Sequence, residues 1–396
     1  MANPISARQI AAPVRSWPVD PVIAVTFLSL MLTGLVMVAS ASTEISAQMY
    51  GSPFYMLVKH GVYMGVALAA GAAVLMVPVR FWQRLDWLLL LVSFALLIAV
   101  LVPGVGKEVN GSTRWISLGA FSLQGSEFIK LFVLVYIAGY LVRHKEEIAT
   151  RLSSFIKPLV LVMALVALLL QQPDFGAAVV IMAAVMSVIF LAGVPMRHFL
   201  PIVTLALVTT VVIAVWQPYR LERLTVFANP WEHQYGGGYQ LTQALIAIGR
   251  GEWIGLGLGN SIQKLFFLPE AHTDFLFSII AEELGVFGAL AVIGLFACLV
   301  TRGIWIGRMA EIRGLSFHAY LAFGISLMIG IQAAINIGVN IGVLPTKGLT
   351  LPLMSYGGNS LIISSALIAL LLRIEYECRN VSDVALPGKR RARRGT

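Results

Sequence analysis

Asp274 is the residue of this sequence whose type and position best suit proton transfer. It follows the segment Pro269–Thr273 and opens a long apolar stretch. An ionisable group beside an apolar span is a functional candidate because charge is expensive there, and a carboxylate can serve as a general base. The alternative is a structural role, in which Thr273 or Asp274 caps the amino end of the following helix.

Two further acids, Glu282 and Glu283, follow on the same apolar stretch. On a straight helix starting at Asp274, Glu282 would lie about 80° around the axis and about 12 Å deeper, and Glu283 about 180° around. Asp274 and Glu283 therefore do not face one cavity on such a helix. The spacing predicts packing or ion-pair roles for Glu282 and Glu283.

Two other polar sites interrupt apolar sequence earlier in the chain. Glu127 and Lys130 are three residues apart and share a helix face, which predicts a buried structural ion pair, with a polar substrate cavity as the alternative. Asp174 follows Gln172 and Pro173 at a predicted turn. There, helix capping competes with substrate contact.

Six cationic side chains occupy polar stretches between apolar runs, where charged residues can contact a ligand or contribute to structure. Local ion pairing, lipid head groups and membrane orientation are the alternatives for each. The six are Arg114, Arg220, Arg223, Arg250, Lys264 and Lys347. The six histidines are scattered, and no metal-ligand spacing stands out. No resident cofactor or metal is predicted, and a divalent cation remains an open alternative.

The elements that must position these residues are apolar helices. The chain of 396 residues is 58% hydrophobic and 12% charged, with a mean hydropathy of +0.86, which excludes an ordinary soluble enzyme. Because lipid-exposed backbone must satisfy its own hydrogen bonds, the pattern predicts an all-α polytopic membrane protein of about ten spans. Their limits are 21–41, 54–77, 85–103, 126–142, 156–172, 175–194, 198–216, 274–300, 318–343 and 356–373.

The placement of Lys and Arg predicts the orientation of these spans. Basic residues are more numerous in the connections on the side of both termini, which is typical of the cytoplasmic side. The prediction is a cytoplasmic segment 1–20, a membrane domain 21–378 with a large periplasmic loop 217–273 between spans 7 and 8, and a basic cytoplasmic tail 379–396. The net charge of +9 thus indicates topology and contact with anionic membrane lipid, rather than nucleic-acid binding.

Several long motifs in this chain resemble those of the SEDS family (shape, elongation, division and sporulation). The signature stretches are Pro269–Phe275, Glu282–Gly285, Gly238–Gln240, Gly257–Lys264 and Ser355–Gly358. Three more stretches resemble the division (FtsW) branch more than the elongation (RodA) branch: Asn336–Gly338, Leu344–Pro352 and Gly249–Glu252. The resemblance covers about residues 20–378.

The resemblance implies a peptidoglycan glycosyltransferase that polymerises lipid II during septal cell-wall synthesis. It implies a multi-pass protein of the bacterial inner membrane at the division septum, with a class B penicillin-binding protein (FtsI type) and other divisome membrane proteins as partners. Asp274 matches the family's proposed catalytic aspartate, and Glu127, Lys130 and Asp174 match further motif positions. The cations above, with His272, Ser355 and Tyr356, become candidates for substrate binding.

Two other function classes remain open from the sequence. Ten spans with charges in the membrane also suit a lipid II flippase or transporter. A non-catalytic recruiter of the division synthase is the third reading. A glycosyltransferase is expected to invert the anomeric carbon and release polyprenyl pyrophosphate, with one carboxylate as base and cations offsetting the charge on the leaving group.

Overall fold

The protein is described here by a computed structural model, which describes residues 19–109, 112–119, 121–148, 150–204, 208, 226–345 and 348–380. The helices, in chain order, are α1 Pro21–Tyr50, α2 Tyr55–Met76, α3 Val79–Arg84, α4 Asp86–Leu101, α5 Gly125–Arg143, α6 Lys145–Ile148, α7 Leu152–Gln171, α8 Phe175–Leu191, α9 Tyr239–Gly251, α10 Leu276–Ile312, α11 Ser316–Asn340 and α12 Gly358–Asn380. Three short strands are β1 Gly106–Val109, β2 Ser112–Leu118 and β3 Phe121–Gln124.

The helices agree with the predicted spans. Every predicted span except the seventh coincides with a described helix. Of span 198–216, most residues lie outside the described part of the chain, and residues 196–204 are helical. Six described helices are long and apolar enough to cross a membrane, and α4 and α8 are shorter apolar helices. The prediction of a polytopic helical membrane protein is confirmed.

Helix α1 begins and ends at residues suited to those positions. The Asp20 carboxylate accepts hydrogen bonds from the backbone N–H groups of Val22 and Ile23, and Pro21 opens the helix, where its missing N–H costs nothing. Gly51 ends the helix with φ at 70°, a conformation that glycine adopts without strain. The helix therefore extends nine residues past the predicted limit at 41.

A small antiparallel sheet, which was not predicted from the sequence, accompanies the helices of this mostly helical fold. Strands β1, β2 and β3 form an antiparallel sheet in the segment between α4 and α5, with Lys107 opposite Trp115 and Trp115 opposite Gln124. The missed signal is in the sequence: β2 contains Thr, Trp and Ile, which favour strands. The pair Asn110-Gly111, typical of hairpin turns, stands between β1 and β2.

Helix α5 lies at the centre of the bundle and is buried along most of its length. It packs against α4, α8 and α11, while α10 packs against α11, α1 and α9, and α2 packs against α12. The central position of α5 means that its polar residues, Glu127 and Lys130, can be tolerated only with partners inside the protein.

Helix α10 is interrupted at Gly285, where φ is 67°. The segment after α9 enters this break. The N–H groups of Leu256 and Gly257 donate to the carbonyls of Glu282 and Glu283 at 3.0 Å each. In return, Val286 N–H donates to Glu252 at 2.9 Å and Phe287 N–H to Trp253 at 3.3 Å. The break thus leaves these backbone groups hydrogen-bonded, as a membrane environment requires.

Candidate active site

Asp274 lies in a turn that precedes α10, not in the helix. The N-cap residue of α10 is Phe275, which makes no side-chain capping bond. The expected capping role of Thr273 or Asp274 is therefore wrong, as is the angular comparison that assumed a straight helix from Asp274. The backbone N–H groups of residues 273, 274 and 275 all donate to the Glu270 carbonyl, at 3.1, 3.2 and 3.3 Å.

Glu270 has a strained backbone at this turn. Its φ is 55°, in the left-handed region that side chains other than glycine rarely occupy. Its carboxylate accepts a hydrogen bond from the Thr273 hydroxyl at 2.8 Å. Strain of this kind persists only where the surroundings hold it, and it concentrates at functional sites.

The electrostatic environment of Asp274 raises the pKa of its carboxyl group. Its side chain is half-buried. Together, burial, which is the largest cause, the negative charge of Glu270, which also raises the pKa, and the Arg114 guanidinium, which lowers it, bring the pKa of Asp274 to about 7. Two residues earlier, burial lowers the pKa of His272 and the charge of Glu270 opposes that effect. His272 is therefore a neutral neighbour of the carboxylate at neutral pH.

The backbone of Asp274 is held from helix α11. Its carbonyl accepts hydrogen bonds from Asn336 Nδ2 at 2.9 Å and from Asn340 Nδ2 at 3.0 Å. Gly348 lies beside the carboxylate, since a Cβ at this glycine would stand 3.0 Å from Asp274 Oδ2. Glycine at 348 thus leaves space next to the carboxylate oxygen.

The predicted loops that carry Arg114 and Asp174 meet in the structure. Arg114 donates through Nε to the Gln172 carbonyl at 3.0 Å and through Nη2 to the Pro173 carbonyl at 2.5 Å. Asp174 caps α8, accepting from Ala177 N–H at 3.3 Å, so the capping alternative holds for one of its oxygens. The other oxygen is buried without a hydrogen-bond partner among the described residues.

His272, Ser355 and Tyr356 form contacts between the Asp274 turn and the segment before α12. Tyr356 N–H donates to the His272 carbonyl at 2.9 Å, and the two rings lie 5.5 Å apart. Ser355 is buried, and its hydroxyl accepts from Leu351 N–H at 2.9 Å. The structure thus shows Ser355 stabilising a local turn.

The ion pair predicted between Glu127 and Lys130 is present and buried. Lys130 Nζ lies 2.7 Å from Glu127 Oε1 and donates to Gln332 Oε1 at 2.8 Å. The Gln332 amide in turn donates to the Thr350 carbonyl at 3.0 Å. Thr350 lies in the same segment as Gly348, so this pair connects to the backbone that lines the Asp274 site.

Lys264 is placed in an ion pair rather than in an open phosphate site. Its Nζ lies 3.1 Å from Glu283 Oε1, 3.0 Å from the Ser40 hydroxyl and 2.6 Å from the Gly259 carbonyl. Glu282 accepts from the backbone N–H groups of Ile262 and Gln263, at 3.2 and 3.4 Å. The predicted packing and ion-pair roles of Glu282 and Glu283 are therefore observed, and they hold residues 261–264 against α10.

Among the predicted cations that the structure describes, Arg114 is the one whose charge acts on Asp274. Arg250 is exposed in the last turn of α9. Arg220, Arg223 and Lys347 lie outside the described residues. Within the described part of the chain, no group of three or more His, Cys, Asp or Glu side chains is arranged to hold a metal ion.

Four residues of this site were missed as site residues from the sequence: Glu270, Gln332, Asn336 and Asn340. The last three carry a signal, because amide side chains recur every four residues in the apolar helix α11 and so share one face. Glu270 has no comparable signal, since its backbone conformation depends on the packed turn.

The family model for cell cycle proteins of the FtsW, RodA and SpoVE type matches residues 21–380. This chain belongs to that family. The match covers every described helix and the whole site around Asp274. The motifs noted in the sequence, including Pro269–Phe275, therefore belong to an FtsW/RodA/SpoVE protein.

Relatives of this FtsW/RodA/SpoVE chain are similar over most of their length. A protein of Pseudomonas fluorescens (strain SBW25) named probable peptidoglycan glycosyltransferase FtsW is 53% identical over 352 residues, covering 89% of this chain and 86% of the relative. A protein of the same name from Coxiella burnetii (strain RSA 493 / Nine Mile phase I) is 51% identical, covering 92% of this chain and 98% of the relative.

Solved structures show the same fold. A chain from work on the structural coordination of polymerization and crosslinking by a peptidoglycan synthase complex superimposes with a TM-score of 0.76 at 30% identity, covering 91% of this chain and 99% of that one. The rod shape determining protein RodA of Thermus thermophilus gives a TM-score of 0.65 at 28% identity, covering 90% of this chain and 96% of RodA.

Proposed function

We propose that this chain is a peptidoglycan glycosyltransferase that polymerises lipid II into glycan strands during septal wall synthesis, with Asp274 as the general base. Relatives about half identical to it bear the name peptidoglycan glycosyltransferase FtsW. The observation that carries the mechanism is the half-buried Asp274, whose pKa is raised to about 7. A base with a pKa near the working pH combines a useful ionised fraction with proton affinity.

In the proposed step, the acceptor sugar hydroxyl attacks the anomeric carbon of the donor. The new glycosidic C–O bond forms as the bond from that carbon to the pyrophosphate oxygen breaks, with inversion. The hydroxyl proton passes to the Asp274 carboxylate, and the electron pair leaves with polyprenyl pyrophosphate. Cations offset the charge on that leaving group, and Arg114 is the candidate at this site that the structure describes. Arg220, Arg223 and Lys347 remain candidates from the sequence.

The decisive experiment measures glycan strands made from purified lipid II in the presence of the partner transpeptidase. Asp274→Asn keeps the size of the side chain and removes the base, so we expect no polymer above background. Glu108→Gln, at an exposed acid on β1, is the matched control and should polymerise at the wild-type rate. Full activity of Asp274→Asn would overturn the base assignment.

The same variant separates the glycosyltransferase from the other function classes. A flippase would move lipid II across vesicles when polymerisation is blocked. A recruiter would support normal wall synthesis with Asn at position 274. Either result would contradict the proposed enzyme activity and favour the corresponding alternative function.

We propose a class B penicillin-binding protein as partner, and the bacterial inner membrane at the septum as the location. Support for the partner is the similarity to a chain studied in a peptidoglycan synthase complex that coordinates polymerization and crosslinking. The excess of basic residues near both termini supports a cytoplasmic position for the termini. Asp274 would then open toward the periplasm, where the sugar part of lipid II is exposed.

A further inference from the structure

Helix α11 carries three amide side chains at intervals of four residues, Gln332, Asn336 and Asn340. This spacing places them one above the other on a single helix face. All three are buried. A buried amide in an apolar helix is costly unless its hydrogen bonds are made. The hydrogen-bond partners of these three side chains therefore indicate which segments this helix face holds in place.

The partners run from the buried ion pair to Asp274. Gln332 accepts from Lys130 and donates to the Thr350 carbonyl. One turn further, Asn336 donates to the carbonyls of Leu349, at 2.5 Å, and Asp274, at 2.9 Å. One more turn along, Asn340 donates to the Asp274 carbonyl at 3.0 Å. The two segments that flank the site are thus held by one helix face.

Asn340 also replaces the missing cap of α10. Its Oδ1 accepts from the Ser278 N–H at 3.0 Å and from the Ser278 hydroxyl at 2.7 Å. Ser278 is the third residue of α10, and its N–H is shared between this oxygen and the carbonyl of the N-cap residue Phe275, at 3.1 Å. Phe275 itself makes no side-chain capping bond. One amide therefore contacts both the first turn of α10 and the carbonyl of Asp274, the residue before the N-cap.

We propose that Gln332, Asn336 and Asn340 form a positioning row that holds the Asp274 backbone and connects it to the Glu127–Lys130 pair. The row does not touch substrate. It acts by keeping the carboxylate in the half-buried place between Glu270 and Arg114. This inference rests on the proposed catalytic role of Asp274.

The first test is Asn336→Leu, which keeps the approximate shape and removes both donors. Because misplacement of a reacting group by about 1 Å can cost about a hundredfold in rate, we expect kcat to fall by about tenfold to a hundredfold with KM unchanged. The rising limb of the pH–rate profile should also move to lower pH, since a released carboxylate is better solvated. Ser326→Ala is the matched control: Ser326 is buried on the same helix, and among the described residues its hydroxyl donates only to the Ala322 carbonyl.

The second test asks whether the residues act together. Gln332→Met removes the links to Lys130 and Thr350 at similar length. In one row, the double variant Gln332→Met with Asn336→Leu should lose less than the product of the two single losses, because neighbouring residues of one network are not additive. If the loss of kcat in the double variant equals the product of the two single losses, the residues act independently, and the proposed row is contradicted.

The outcomes separate this inference from the proposed function. An active Asp274→Asn overturns the base assignment and the row with it. If Asp274→Asn is inactive and Asn336→Leu keeps the wild-type kcat, only the row is overturned. Asn336→Leu could instead lower the melting temperature while the folded protein keeps the wild-type position of the rising limb in its pH–rate profile. That result would overturn the positioning row and leave these amides with a structural role alone.

Discussion

At the scale of single residues, the chemistry of the site depends on the competition between two charges around Asp274. Burial is the largest cause of its raised pKa, Glu270 adds to it, and Arg114 opposes it. Glu270 forms the turn that carries Asp274, and Arg114 is held by backbone carbonyls of the α7–α8 turn. Changing either charge should therefore alter the pH dependence before it alters the fold.

We predict that polymerisation rises with pH through an apparent pKa of about 7, because the ionised carboxylate is the active form. In Glu270→Gln the rising limb should move to lower pH, since removal of a negative charge makes ionisation of Asp274 easier. Glutamine can still accept the bond from Thr273. Because Asp274 stays buried in this variant, the apparent pKa given by the rising limb should remain above the ordinary range of an aspartate.

The measurement is kcat/KM for lipid II polymerisation between about pH 5 and pH 9, because the pH dependence of kcat/KM reports the pKa of the free enzyme. Glu252→Gln, at an exposed acid in the preceding segment, should leave the limb in place. An unshifted limb in Glu270→Gln would show that Glu270 does not act on Asp274.

At the scale of elements, the break in α10 lets residues 252–257 pack against the helix. The helix begins at Leu276, passes Glu282 and Glu283, and changes direction at Gly285, where residues 252–257 enter. A Cβ at Gly285 would stand 2.4 Å from Gly255 N and 2.5 Å from the Trp253 carbonyl oxygen. The two segments thus approach more closely than any side chain allows.

We predict that Gly285→Ala destabilises the protein by about 2 kcal/mol or more, because it combines overpacking with a strained positive φ. Melting temperature in detergent is the measurement. Gly294→Ala in the same helix is the control: a Cβ there meets nothing within 4 Å, and alanine should stabilise the helix by about 0.5–1 kcal/mol. Equal melting temperatures for the two variants would contradict the close approach at the break.

At the scale of the whole molecule, two polar clusters mark the ends of the membrane domain. At one end, Asp20 pairs with Arg302, whose guanidinium stacks on Trp305 at 4.0 Å. At the other end, Ser40 joins the Lys264–Glu283 pair. Twenty residues of α1 separate Asp20 from Ser40, a rise of about 30 Å, which equals the thickness of the hydrocarbon core of about 30 Å.

We predict that Ser52 lies on the periplasmic side and Lys145 on the cytoplasmic side. Both residues are exposed. Ser52 follows α1 at the end that carries Asp274, and Lys145 lies near Ser316 at the opposite end. In a background with Cys298 and Cys378 replaced by alanine, an impermeant maleimide should label Ser52→Cys in intact spheroplasts, and Lys145→Cys only after lysis. The reverse pattern would invert the proposed topology.

The membrane class, the approximate spans and the motif around Asp274 can be predicted without the structure. These follow from local properties: apolar length, helical spacing and residue type. The Glu127–Lys130 pair could be predicted for the same reason, because both partners lie on one turn of one helix.

The surroundings of Asp274 depend on the packing of distant segments. Its neighbours Arg114, Asn336 and Gly348 come from distant parts of the chain, and no local pattern indicates that they meet. The sequence alone also predicted a straight helix from Asp274, whereas the break at Gly285 exists because another segment supplies the hydrogen bonds that the helix gives up. The raised pKa of Asp274 also depends on tertiary packing, since burial and the charges of neighbouring residues are properties of the packed molecule.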